Sequence, residues 1–183
     1  DKLYKGLNTN AELTRNNLST FYSHLFLIAP ELTPNFVDDE KVLNGDTCPL
    51  GGVMTVGELD EKNESEVTFS NCKDNFGVYN GSATARLISS DDFGNVTESE
   101  IIFKKTTFQS VASGEFELSG KITNKVDSYS CPVDRYYYNL LFTGAEGHQV
   151  YYSNFFTMRS GTSHLGCSSA DGFFLAGELY DSK

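Results

Sequence analysis

The sequence predicts a mainly β fold: an antiparallel meander of about eight strands, sandwich or half-barrel-like, with one N-terminal α-helix and two disulfides. Three observations predict it. From residue 47 onward apolar and polar residues alternate with period two, most cleanly in Glu115-Phe116-Glu117-Leu118-Ser119-Gly120-Lys121-Ile122, the mark of strands with one wet face. The links, such as 60–63, 91–95 and 144–147, are short and polar. They suit antiparallel neighbours, because parallel strands need crossover connections of a dozen residues or more. The four cysteines fall into two copies of one pattern: Cys48-Pro49 leads to Cys72, and Cys131-Pro132 to Cys167.

The elements follow in order. Thr9 and Glu12 form a capping box. Leu18, Phe21, Tyr22, Leu25 and Ala29 then recur at helical spacing until Pro30 stops them, which predicts a helix over 10–29 whose apolar stripe docks on the sheet. With the acidic connector that follows, residues 1–46 make an N-terminal segment. Residues 47–183 make an internally duplicated β-domain, the whole forming one compact unit. Strands are predicted over 51–56, 66–70, 78–88, 99–109, 114–123, 136–143, 150–157 and 172–180. Three of them carry a mid-strand glycine after an apolar run, at Gly81, Gly120 and Gly177. Glycine weakens a strand interior, so its recurrence predicts repeated bulges or a close backbone approach.

Each second cysteine opens a Cys-x4-Gly segment, CKDNFGVYNG or CSSADGFFLAG. Four cysteines allow three connectivities. The duplication selects Cys48–Cys72 and Cys131–Cys167, because each repeat then closes on itself. Paired cysteines place the chain outside the reducing cytosol. The start at Asp1 then reads as a mature or trimmed product. The sequons at Asn17, Asn63, Asn80 and Asn95 read as accidents of composition.

The runs Thr47-Cys48-Pro49-Leu50-Gly51-Gly52, Val67-Thr68-Phe69-Ser70-Asn71-Cys72 and Asn80-Gly81-Ser82-Ala83-Thr84 resemble a poorly characterised group of secreted proteins and lipoproteins of Gram-negative bacteria. That group shows C-P-x-G-G, T-F-x-N-C and N-G-S strands in succession. Residues 116–123 resemble its next repeat and 177–181 a later one. The resemblance implies an extracytoplasmic location (periplasm, outer-membrane surface or secreted), β-repeat structure, a lipid anchor lying outside this sequence and a chain that continues past Lys183. It implies no activity and transfers no functional residue.

Charge and composition narrow the function. With 25 acidic against 14 basic residues the net charge is −11, which repels phosphate backbones and argues against nucleic acid. The longest apolar run, 25–29, is too short to span a bilayer. No Gly-x-Ser-x-Gly elbow, Cys-x2-Cys, His-Glu-x-x-His or EF-hand spacing occurs. His24, His148 and His164 are scattered, and Cys167 beside His164 reads as oxidised. Acidic clusters at 38–40, at 60, 61 and 64, and at 91, 92 and 95 read as solvated turns. No catalytic residue, metal ligand or cofactor is therefore expected.

The aromatics remain: 14 Phe and 10 Tyr with no Trp. Tyr136, Tyr138, Leu140 and Phe142 share one strand face, and Tyr137, Asn139 and Leu141 the other. The next strand supplies Tyr151, Tyr152, Phe155 and Phe156. Core packing is the simple reading for one face. Tyrosines on a wet face instead offer large contact area at low entropy cost. The expectation is a non-catalytic structural or interaction protein, a subunit of a larger assembly or a self-associating chain, using an edge strand or the face of Tyr136, Tyr138 and Tyr152. The alternative is a carbohydrate- or ligand-binding β module.

Overall fold

A computed structural model describes residues 48, 50–74, 77–94, 96–110, 114–126, 133–144, 147–160 and 174–181. The predicted helix at 10–29, the connector, and Cys131 with Cys167 lie outside the described residues. Within them the chain forms β1 (Val53–Val56), β2 (Glu64–Lys73), β3 (Gly77–Ser90), β4 (Val96–Ser110), β5 (Gly114–Val126), β6 (Val133–Gly144), β7 (Gln149–Ser160) and β8 (Phe174–Asp181). All eight belong to one sheet in the order β1 to β8, every neighbour antiparallel. The antiparallel meander is thus one continuous hydrogen-bonded sheet. No helix among the described residues is long and apolar enough to cross a membrane.

Alternation puts one face inside. Val67, Phe69, Ala83, Ala85, Ile101, Phe103, Leu118, Ile122, Tyr138, Leu140, Phe142 and Tyr152 are buried in one continuous cluster. Cross-strand register explains the continuity: Ala85, Ile101, Ile122, Tyr138 and Phe155 stand directly opposite one another across β3 to β7. Rings interlock within this layer. Tyr79 stacks on Phe108 at 4.6 Å, and Tyr152 meets Phe142 edge-on at 5.6 Å. Several strands run longer than the alternation suggested, because polar residues at their ends still pair with a neighbouring strand.

Cys48 and Cys72 are bridged, their Cα atoms 5.2 Å apart, and both lie in the core. The bridge pins the segment entering β1 against the end of β2. Backbone bonds from Leu50 N to Lys73 O (2.9 Å) and from Lys73 N to Gly51 O (2.8 Å) continue the same contact.

A line of irregularities crosses the sheet obliquely, stepping two residues along the register between the β2 and β4 bulges and two more between the β4 and β7 bulges. Ser70 and Asn71 of β2 oppose the single Asn80 of β3. Lys104 and Lys105 of β4 oppose Ser119 of β5, and Ser153 and Asn154 of β7 oppose Asn139 of β6. The three signature glycines, Gly81, Gly120 and Gly177, all sit on this line with positive φ. Bulges bend a strand and raise its local twist. Each bulge bends its own strand, and together they trace one oblique seam across the sheet.

Candidate interaction face on β6 to β8

Tyr136, Tyr138 and Tyr152, expected at a contact surface, are core residues, exposed by only 7%, 2% and 0%. The outward positions are those of the opposite parity. The reason is visible along β6: 136, 138, 140 and 142 are all large and apolar, whereas Tyr137, Asn139, Leu141 and Thr143 are mixed. Burial favours the face that leaves no polar group unpaired. That mixed pattern was the available signal for the outer face of β6, and register with β6 then places Phe156, Tyr151 and Tyr180 on the same face.

On this outer face β6 to β8 carry two aromatic pairs. Tyr137 lies opposite Phe156, ring centroids 5.1 Å apart and planes 36° from parallel. Tyr151 lies opposite Tyr180 at 6.2 Å and 27°. All four rings are half-buried. Between the pairs Asn139 and Asn154 are bonded to each other: Asn139 Nδ2 donates to Asn154 Oδ1 (3.2 Å), and Asn154 N donates to Asn139 Oδ1 (3.0 Å). Asn154 holds positive φ (47°) at the bulge, a conformation asparagine tolerates better than other side-chain-bearing residues. Leu141, which pairs with Tyr151 on this face, is buried.

Two charges border the rings. Exposed Glu178 accepts a hydrogen bond from the Tyr180 hydroxyl at 2.9 Å. This bond, with partial burial and the carboxylate's charge, raises the phenol's pKa above its ordinary value. Lys125 Nζ sits 5.9 Å from the Tyr137 ring centroid and 3.0 Å from Glu98 Oε1. The hydrogen bond to Glu98 holds the ammonium pKa above its ordinary value.

The same outer face has a different character over β2 to β5. Glu64, Arg86, Glu100 and Thr123 stand opposite one another across four strands. Arg86 Nε donates to Glu64 Oε1 at 2.8 Å. Glu100, only 7% exposed, meets Lys121 Nζ at 2.5 Å and Arg86 Nη1 at 3.6 Å, and accepts from Thr123 Oγ1 at 3.0 Å. Its carboxylate is thus held between two cations and a hydroxyl. Of the acidic turns singled out in the sequence, 60–64 is closed by Asp60, whose carboxylate accepts from the N–H groups of Lys62 (2.8 Å) and Glu64 (2.9 Å). The bond from Glu64, then that from Lys62, lowers its pKa. Among the described residues, no three His, Cys, Asp or Glu side chains group as a metal would require.

The fold and face together describe a class: a single-sheet antiparallel meander with a buried, aromatic-rich face and a divided outer surface, charged over β2 to β5 and aromatic over β6 to β8. No family model, curated protein or solved structure matches the chain.

Proposed function

We propose that this chain is an exported, non-catalytic interaction protein that works through the outer face of β6 to β8. The observation that carries the reading is the pair of half-buried aromatic couples, Tyr137–Phe156 and Tyr151–Tyr180, set on either side of the Asn139–Asn154 amides. Tyrosine gives large contact area with few rotatable bonds, and half-buried rings on a hydrogen-bonded sheet are largely pre-organised for contact. The Cys48–Cys72 bridge supports an oxidising compartment. The acidic charge keeps the unassembled chain soluble.

Site-specific photocrosslinking in the native host tests this. A benzophenone side chain at 137 or at 151 should give discrete adducts. The same probe at Thr68, exposed on the charged half of the same face, should give none. Equal labelling at all three positions, or none at any, overturns the proposal. Cell fractionation that left the chain in the cytosol would overturn its export.

A further inference from the structure

We infer that the ligand of the β6 to β8 face is a neutral glycan. The inference rests on the proposal that this face is the working surface and names the class of molecule it takes.

The chemistry alternates in a way sugars match. A pyranose ring presents a patch of C–H groups on its flat side and hydroxyls around its rim. The C–H groups carry partial positive charge and stack on the negative face of an aromatic ring. The hydroxyls need neighbours that both donate and accept. An asparagine amide does both, a tyrosine hydroxyl does both, and a carboxylate accepts. The face supplies these in sequence along the strands: the Tyr137–Phe156 pair, the Asn139–Asn154 amides, then the Tyr151–Tyr180 pair with Glu178 bonded to its hydroxyl. Tyr137 lies four residues before Leu141, the register partner of Tyr151, so the aromatic pairs are about 13 Å apart along the strands. That span suits a short oligosaccharide, with a ring on each aromatic pair and a linking unit over the amides.

A protein partner fits less well. The centre of a protein–protein interface is depleted in charge and continuous in apolar surface. Here an amide pair occupies the centre and a carboxylate stands within the aromatic row. An anionic glycan is disfavoured by the net charge of −11 and by Glu178 at the site.

The test is titration calorimetry of the full chain with neutral hexasaccharides of glucose and of N-acetylglucosamine in α and β linkage, and with polygalacturonate as the anionic control. At least one neutral hexasaccharide should bind, and polygalacturonate should not. Tyr137→Ala and Tyr151→Ala should each weaken binding about threefold to tenfold, and the double variant should abolish it. Tyr151→Trp should retain binding, because the stacking ring survives. Thr68→Ala should match the parent. Circular dichroism of each variant checks that the sheet is intact, and Tyr151→Trp keeps the test decisive if Tyr151→Ala unfolds. The inference is overturned if no neutral glycan binds, if the anionic polymer binds better, or if the double variant binds like the parent. Should the photocrosslinks at 137 and 151 then lead to a protein, the interaction proposal stands and the glycan falls. Should there be neither adducts nor glycan binding, both fall.

Discussion

The two ends of the sheet solve one backbone problem with the same parts. At β1 to β3, Gly52 lies against the carbonyl of Asn71, which has φ of 48° and donates its N–H to Asn80 Oδ1 at 2.8 Å. At β8 to β6, Gly177 lies against the backbone of Asn154 and Phe155. Asn154 has φ of 47° and donates its N–H to Asn139 Oδ1 at 3.0 Å. Glycine, left-handed asparagine and accepting asparagine thus recur with the strand order reversed. The surroundings differ. Near the first unit the outer face carries Thr68, Ser82 and Thr84 and runs into the Glu64–Arg86–Glu100 ladder. The second unit lies between aromatic pairs. The same backbone unit thus places a bulge at both ends, and only the side chains around it differ, polar and charged at one end and aromatic at the other.

The glycines give the sharpest way to break this equivalence. A Cβ at position 52 or 177 would run into main-chain atoms of the neighbouring strand, which cannot swing aside. Positive φ adds its own penalty for a non-glycine residue. Gly52→Ala and Gly177→Ala should each cost about 2–5 kcal/mol in urea unfolding under non-reducing conditions. Gly114 shares the positive φ but has open space around it, so Gly114→Ala should cost no more than about 2 kcal/mol. Equal losses at all three positions would show that φ alone matters and that the close approach does not.

The charged half comes next in size. Glu100→Gln leaves Arg86 and Lys121 facing each other without their shared anion. Both cations are about two-fifths exposed, which discounts the buried-pair value to roughly 1–2 kcal/mol. The loss should shrink in high salt, where exposed charges are screened. A salt-independent loss would make Glu100 a packing residue.

Smaller effects separate the two bulge units. Asn80→Ala and Asn139→Ala each remove the acceptor of a bulge N–H, at up to about 1 kcal/mol. Asn139→Ala should cost more, because it breaks two bonds to Asn154 where Asn80→Ala breaks one to Asn71. Denaturation midpoints of the two variants, measured side by side, decide this.

The smallest effect is a titration. The pKa of Tyr180 is raised, so its contribution is full below the ordinary phenol range and is lost as pH climbs through the folded-state value. Glu178→Gln should move the midpoint back down toward the ordinary value. Labelled-tyrosine NMR, assigned with Tyr180→Phe, reads this directly. An unmoved midpoint would remove Glu178 as the cause.

Much of this architecture was legible in the residues. Period-two alternation and short polar links gave eight antiparallel strands close to their observed bounds, because each strand has one buried face and the pleat repeats every two residues. The seam is legible as well, in the spacing of the buried residues. The buried series steps by three where it should step by two, at Phe69 to Cys72, Phe103 to Thr106 and Tyr152 to Phe155. The polar pairs Ser70-Asn71, Lys104-Lys105 and Ser153-Asn154 fill those gaps. An extra residue in one strand must appear as such a slip.

By itself, then, the sequence determined the strands and their antiparallel sense, and it singled out Cys48 and Cys72 as a bridge. Only the tertiary structure decided which tyrosines of β7 and β8 face outward, that all eight strands share one hydrogen-bonded sheet, and that the bulges line up in one oblique seam. Alternation divides a strand into two faces without saying which neighbours each face meets. Tyr136, Tyr138 and Tyr152 differ from Tyr137, Tyr151 and Tyr180 in parity alone. Parity becomes burial only when cross-strand register brings Tyr138 against Ile122 and Phe155, and Tyr152 against Leu140 and Leu179.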